Sequence, residues 1–166
     1  MQNHRFIGLI TTIQILLFAP SLFAATLFDY PVININTNEA VSLSLDTRPV
    51  VVLFFEPDCS WCFKQSKVYS RLAKRCQSEV QFIGLGVNGS RQAIKKEAWH
   101  LQAAFPLYMA SRPMLDAIGS VDSTPLSVLL NSQQQIAGKA RGYLNQDKWQ
   151  ALYQRLIGPS QCFEDS

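Results

Sequence analysis

The chain has 166 residues, of which 48% are hydrophobic and 16% are charged. The 15 Lys and Arg residues against 12 Asp and Glu give a formal net charge of only +3, and the basic residues are scattered along the sequence. This composition is typical of one globular domain with a sizeable core, and it gives no support for nucleic-acid binding.

Residues 1–24 have the layout of a secretory signal peptide. His4 and Arg5 form a short positive start, an apolar stretch from Phe6 to Phe18 follows, and Pro20 and Ser21 lead to Leu22-Phe23-Ala24-Ala25. Leu22 stands where a small residue is usual before the cleavage site, so an uncleaved N-terminal anchor is the alternative. Either way we expect an exported, periplasmic domain, and after cleavage we expect no stable membrane span.

Residues 25–48 alternate apolar and polar side chains and are predicted to be short lead-in strands or an extended lead-in to a domain of residues 49–166. The run VVVLFF, Val50 to Phe55, predicts a buried central strand. EPDCSWC follows it and places Cys59 and Cys62 before a predicted helix from Ser60 to about residue 76. Such a pair has three explanations: a redox dithiol, half of a metal site, or a structural disulfide.

The remaining pattern predicts a strand, a helix, and then a hairpin and a last helix. A strand-helix-strand unit makes the first two long strands parallel, and the short turn at residues 131–134 makes the last pair antiparallel. We therefore predict an α/β fold with a mixed central sheet and helices on both faces. The predicted elements are strands at 80–87, 105–108, 126–130 and 136–142, and helices at 90–104, 112–118 and 147–157.

From about residue 49 to residue 157 the chain resembles the thioredoxin superfamily. The residues that carry the resemblance are Cys59-Ser60-Trp61-Cys62 after an apolar strand, Thr124-Pro125 before the third long strand, and the segment KARG, residues 139–142, before the last helix. The segment from Phe105 to Leu130 is similar to exported TlpA-type thioredoxins. EPDCSWC and the threonine before the proline are more similar to DsbC-type isomerases and to TrbB. Leu53 departs from thioredoxin, because the resemblance places a buried Asp there.

The order of the two cysteines predicts their roles in thiol-disulfide exchange. Only a thiolate attacks a disulfide, and a cysteine at a helix N-terminus gains from the helix dipole and the free backbone amides. Cys59 is therefore the predicted nucleophile, and Cys62, one turn later, is the predicted resolving thiol. The negative charges of Glu56 and Asp58 oppose the thiolate, which argues for a moderate reduction potential.

Four further residues are candidates for the same site. The resemblance implies that Pro125 follows a cis peptide bond facing the dithiol and that Thr124 offers its backbone to a substrate strand; the ordinary alternative is a trans bond. Trp61 is either an apolar substrate contact or a local packing residue. Glu56 is either a proton acceptor for Cys62, in place of the missing Asp, or a solvated loop residue.

Cys76 and Cys162 are predicted to form a structural disulfide. If Cys62 and Cys76 share one helix, their 14-residue separation amounts to about 21 Å, whereas a disulfide needs Cα atoms within about 7 Å. Cys162, just past the last helix, is the remaining partner, and two idle thiols would be a liability outside the cytoplasm. Among the other side chains, His100 is predicted to be a surface residue, and Tyr69 and Trp99 are predicted to be in the core.

Three functions compete for this chain. The first is an enzyme that reduces or isomerises disulfides in protein substrates, with a membrane electron carrier as its reductant and no cofactor; a dithiol oxidase would use the same residues. The second is a metal site, which is weak because the CxxC lacks a second close pair and His100 stands alone. The third is a non-catalytic interaction module with a structural Cys59–Cys62 disulfide.

Overall fold

A computed structural model of the protein describes residues 26–119 and 121–163. The predicted signal peptide, residues 1–24, lies outside the described residues. Within the described ranges, no helix is both long enough and apolar enough to cross a membrane.

A mixed sheet forms the centre of the domain. Its central strand is β3 (Val50–Phe55), which pairs in parallel with β4 (Gln81–Gly86) and antiparallel with β6 (Leu126–Leu130). All six residues of β3 are buried, and its three valines and two phenylalanines are residue types that favour strands. The other described strands are β1 (Val32–Ile33), β2 (Ala40–Val41), β5 (Leu107–Met109) and β7 (Ile136–Arg141), and the order across the sheet is β2-β1-β5-β4-β3-β6-β7.

The lead-in before β3 belongs to this same sheet. β1 and β2 pair antiparallel, and Ile33 lies opposite Met109 of β5. Both strands are only two residues long. The carboxamide oxygen of Asn34 accepts hydrogen bonds from the backbone amides of Asn36 and Thr37, so the chain turns directly after β1.

Helices cover both faces of the sheet, as predicted. Alternate residues of β3 point to opposite faces. Val52 packs in one apolar cluster with Met114 of α3 (Arg112–Ile118). Leu53 packs in the other with Tyr69 of α1 (Ser60–Arg75) and Trp149 of α4 (Gln146–Leu156), and α2 (Arg91–Leu101) lies beside α1.

The prediction that Trp99 is a core residue is wrong. Its side chain is 81% exposed. The buried residues of α2 are Ile94, Glu97 and Leu101, spaced three and four apart as on one helix face. Trp99 is two residues from Glu97, about 200° around the helix, and therefore points to solvent. Tyr69 is fully buried, as predicted.

Candidate active site

The two cysteines lie where the central strand leads into α1. β3 ends at Phe55, and the turn that follows brings Asp58 into the left-handed region with a φ of 59°. Cys59 is the N-cap of α1, and its Sγ accepts a hydrogen bond from the backbone amide of Cys62 at 3.1 Å. The sulfurs of Cys59 and Cys62 are joined at 2.04 Å, so this structure shows the oxidised pair.

Burial distinguishes the two sulfurs. Cys62 is fully buried and packs with Phe55, Ile94 and Leu101, whereas Cys59 is partly exposed. An incoming partner can therefore approach the sulfur of Cys59 more readily than that of Cys62. After reduction, the free amides at the start of α1 and the helix dipole would favour a thiolate on Cys59.

A second loop closes over the dithiol. The Thr124-Pro125 peptide bond is cis, and the Thr124 hydroxyl donates to the Cys59 Sγ at 3.4 Å. Pro125 itself is buried, and its carbonyl oxygen accepts a hydrogen bond from the amide of Gly142 at 2.8 Å. The structure thus brings Cys59, Cys62, Thr124 and Pro125 together at one end of the sheet.

Known structures share this architecture. DsbF from MTB, in mixed oxidised and reduced forms, is 18% identical over 79% of this chain and 97% of that chain, with a TM-score of 0.65. A thiol:disulfide interchange protein of the thioredoxin family from Chlorobium tepidum is 19% identical over 78% and 95%, with a TM-score of 0.63. The protein has a thioredoxin-like fold. A Cys59–Cys62 pair at this position of that fold supports a redox function.

A third similar structure is a secreted Mycobacterium tuberculosis disulfide oxidoreductase described as homologous to Escherichia coli DsbE. It is 16% identical over 74% of this chain and 92% of that chain, with a TM-score of 0.61. No protein-family model matches the sequence, and no curated protein matches it.

An exposed aromatic pair lies on the thioredoxin-like domain beside the dithiol. Trp61, inside the CxxC motif, is 51% exposed, and its ring centroid lies 5.7 Å from that of Tyr143. The Lys64 ammonium group sits 4.0 Å from the centre of the Trp61 ring. Sequence reasoning missed Tyr143, because the segment after β7 shows no pattern that would place it next to α1.

The loop that carries Tyr143 is anchored by Gln65, another residue missed from the sequence. Gln65 is fully buried on α1, one turn after Cys62. Its carboxamide donates to the Leu144 carbonyl oxygen at 3.2 Å and accepts from the Leu144 amide at 2.7 Å. Together with the bond between Gly142 and Pro125, this pair of hydrogen bonds fixes the loop against both the dithiol helix and the cis-proline segment.

We expect Gln65→Leu to destabilise the protein by about 1–3 kcal/mol, because it leaves both backbone groups of Leu144 without partners. The measurement is the free energy of unfolding in urea. Gln77→Leu is the matched control, since Gln77 is exposed and its side chain should contribute within about 0.5 kcal/mol. Equal stabilities of the two variants would contradict the anchoring role.

The carboxylate of Glu56 is hydrogen-bonded to a residue outside the CxxC motif. Its Oε2 accepts from the side-chain amide of Asn88 at 2.9 Å, and the same amide donates to the Val121 carbonyl oxygen at 3.0 Å. This bond holds the turn before Cys59 against the segment that follows β4. A role of Glu56 as proton acceptor for Cys62 stays a prediction. Leu53, where the resemblance places a buried Asp, is fully buried in the apolar core.

The second disulfide lies at the other end of α1. Cys76 caps the helix and is bonded to Cys162, 86 residues later. The carboxylate of Glu79 accepts from the Ser160 hydroxyl at 2.7 Å and from the Cys162 amide at 3.1 Å. The tail after α4 is therefore tied to the end of α1 by a covalent bond and by two hydrogen bonds.

His100 and the remaining titratable groups form no metal centre in the described ranges, where no group of three or more His, Cys, Asp or Glu side chains could hold an ion. The His100 ring is largely exposed and stacks on Phe63 with ring centroids 5.0 Å apart.

In the core, burial raises the pKa of Tyr69, whose hydroxyl is hydrogen-bonded to the Ser127 hydroxyl at 2.6 Å.

Proposed function

We propose that the protein is an exported, periplasmic thiol-disulfide oxidoreductase that reduces or isomerises disulfides in protein substrates. The observation that carries the proposal is the asymmetric dithiol: a partly exposed Cys59 at the start of α1 and a fully buried Cys62 behind it. A non-catalytic disulfide would need neither this asymmetry nor the hydroxyl of Thr124 next to the Cys59 sulfur.

The chemistry follows from this arrangement. In the reduced protein the Cys59 thiolate attacks one sulfur of a substrate disulfide, forming a mixed disulfide and releasing the other sulfur as a thiolate. Cys62 then loses its proton and attacks Cys59, which releases the second substrate thiolate and restores the Cys59–Cys62 disulfide. Two electrons pass to the substrate, so an external dithiol, for which we propose a membrane electron carrier, must reduce the pair again.

The residues around the dithiol suit a peptide substrate. The exposed rings of Trp61 and Tyr143 offer an apolar platform beside the nucleophile. The backbone of Thr124, next to the same sulfur, would pair with an extended substrate strand. Glu56 remains our candidate proton acceptor for Cys62. Reduction and isomerisation share every one of these features with oxidation, so the direction of electron flow needs an experiment.

That experiment is the redox state of Cys59 and Cys62 in cells, trapped by acid quenching and alkylation. A reductase or isomerase should be held mostly as the dithiol, and deleting its reductant should shift it to the disulfide. A pair that is mostly oxidised in wild-type cells would instead make the protein a dithiol oxidase. If the purified reduced protein also fails to reduce insulin or exchange with glutathione, the fold serves as an interaction module.

A further inference from the structure

The turn that presents Cys59 is braced from one side by the segment between β4 and α2 and by α2 itself. Asn88 holds the Glu56 carboxylate, and Gly89 lies so close to Pro57 that an added Cβ would come within 2.6 Å of the proline ring. The third contact comes from Glu97 of α2, whose Oε2 accepts the backbone amide of Asp58 at 3.3 Å.

Glu97 is unusual among the charged residues of the described chain. It is only 6% exposed, although a carboxylate is rarely buried without a partner. Its neighbours on the buried face of α2 are Ile94 and Leu101, which pack against Cys62. A second polar neighbour is the His100 ring, whose Nδ1 lies 3.7 Å from the Glu97 Oε1.

The hydrogen bond to the Asp58 amide acts on the residue that precedes the nucleophile. Asp58 precedes the nucleophile and has a φ of 59°, a conformation that costs energy for a residue other than glycine unless the surroundings hold it. Rotation of this one residue would move Cys59 off the N-cap of α1 and away from the Thr124 hydroxyl. An acceptor fixed on a neighbouring helix prevents that rotation.

We propose that Glu97 is a positioning residue for the dithiol: by accepting the Asp58 amide, its buried carboxylate fixes the peptide that carries Cys59 at the start of α1. The inference rests on the proposed function for its biological meaning. Its physical content is narrower and concerns how readily the reduced Cys59 ionises.

The test measures alkylation of reduced Cys59 by iodoacetamide as a function of pH, with the labelled cysteine identified by mass spectrometry. The plateau at high pH reports the reactivity of the thiolate, and the midpoint reports its ionisation. Glu97→Gln keeps an oxygen that can accept the Asp58 amide but removes the charge, whereas Glu97→Leu removes both. Leu130→Ala is the control for lost stability, because Leu130 lies opposite Val50 at the far end of the sheet.

We expect the midpoint in Glu97→Leu to lie about one pH unit above that in Glu97→Gln, because only the leucine variant lets Cys59 leave the N-cap, where the helix dipole and the free amides favour the thiolate. Leu130→Ala should keep the midpoint of the wild type. Glu97→Gln should move the midpoint to lower pH than in the wild type, because one negative charge near the thiolate is gone while the negative charges of Glu56 and Asp58 remain. If Glu97→Leu does not fold, Glu97→Ala takes its place.

Equal midpoints in Glu97→Leu and Glu97→Gln would overturn the proposal, because the loss of the Asp58 hydrogen bond would then have no effect on Cys59 beyond the loss of charge. Alkylation needs no protein substrate. If the Glu97 variants behave as expected while the wild-type protein fails every exchange assay, only the proposed function is contradicted.

Discussion

Replacing Cys59 with serine is expected to lower disulfide exchange by at least about 100-fold, to the background rate, since a serine hydroxyl does not attack a disulfide. Replacing Cys62 with serine should have a different result. Cys59 remains partly exposed and can still attack, but nothing resolves the mixed disulfide. The Cys62→Ser variant should therefore accumulate covalent complexes with partner proteins, visible on non-reducing gels and absent after reduction.

The same pair of variants tests the assigned order of events. Reduced wild-type protein treated with a limiting amount of iodoacetamide should be labelled first at Cys59, because Cys62 is fully buried. Faster labelling of Cys62, or trapped complexes with Cys59→Ser in place of Cys62→Ser, would reverse the two roles. Ser60→Ala, a change at the exposed residue between them, controls for disturbance of the motif.

Loss of the Cys76–Cys162 disulfide is expected to lower the stability of the protein and to leave disulfide exchange by Cys59 largely unchanged. The bond closes a loop of 86 residues, which is worth about 4–5 kcal/mol in the chain-entropy model. For a domain of this size, Cys76→Ser should lower the melting temperature by about 10–15 °C. Exchange by Cys59 should stay within about twofold of the wild type at a temperature where both proteins are folded.

The double replacement of Cys76 and Cys162 controls for the free thiol that a single replacement leaves behind. It should be destabilised about as much as either single variant, because the loop constraint is lost only once. The hydrogen bonds from Ser160 and Cys162 to Glu79 limit the damage, since they still hold the backbone of the tail. A Cys76→Ser protein that kept its melting temperature but lost exchange would place Cys76 in an electron relay.

The parts of the fold that sequence reasoning predicted are those where local pattern and tertiary environment agree. The run from Val50 to Phe55 is apolar throughout and is the central strand, and α1 begins directly after Cys59. Pairing of β1 with the rest of the sheet could not be predicted, because its partner Met109 lies more than 70 residues away and two-residue strands carry no periodic signal.

The residues missed at the site are polar groups whose partners are distant in sequence. Gln65 does have a signal, since it lies on the same helix face as Cys62, Tyr69 and Leu72, where a buried polar side chain needs a hydrogen-bond partner. Glu97 has none, because a glutamate on an amphipathic helix is usually at the surface. The error at Trp99 has the same origin: hydrophobicity alone placed it inside, whereas the helix phase places it outside.

The length of α1 also bears on how the correct disulfides form while the chain is being made. Cys76 is synthesised 86 residues before Cys162, and Cys59 and Cys62 come earlier still, so the later partner of Cys76 is absent when its first potential partners are present. An unfolded segment would let Cys76 reach Cys59 or Cys62 across a short loop. Once α1 is helical, its 16 residues hold Cys76 about 20 Å or more from Cys59 and Cys62. Formation of this one helix before the disulfides close would thus protect the chain against mispairing.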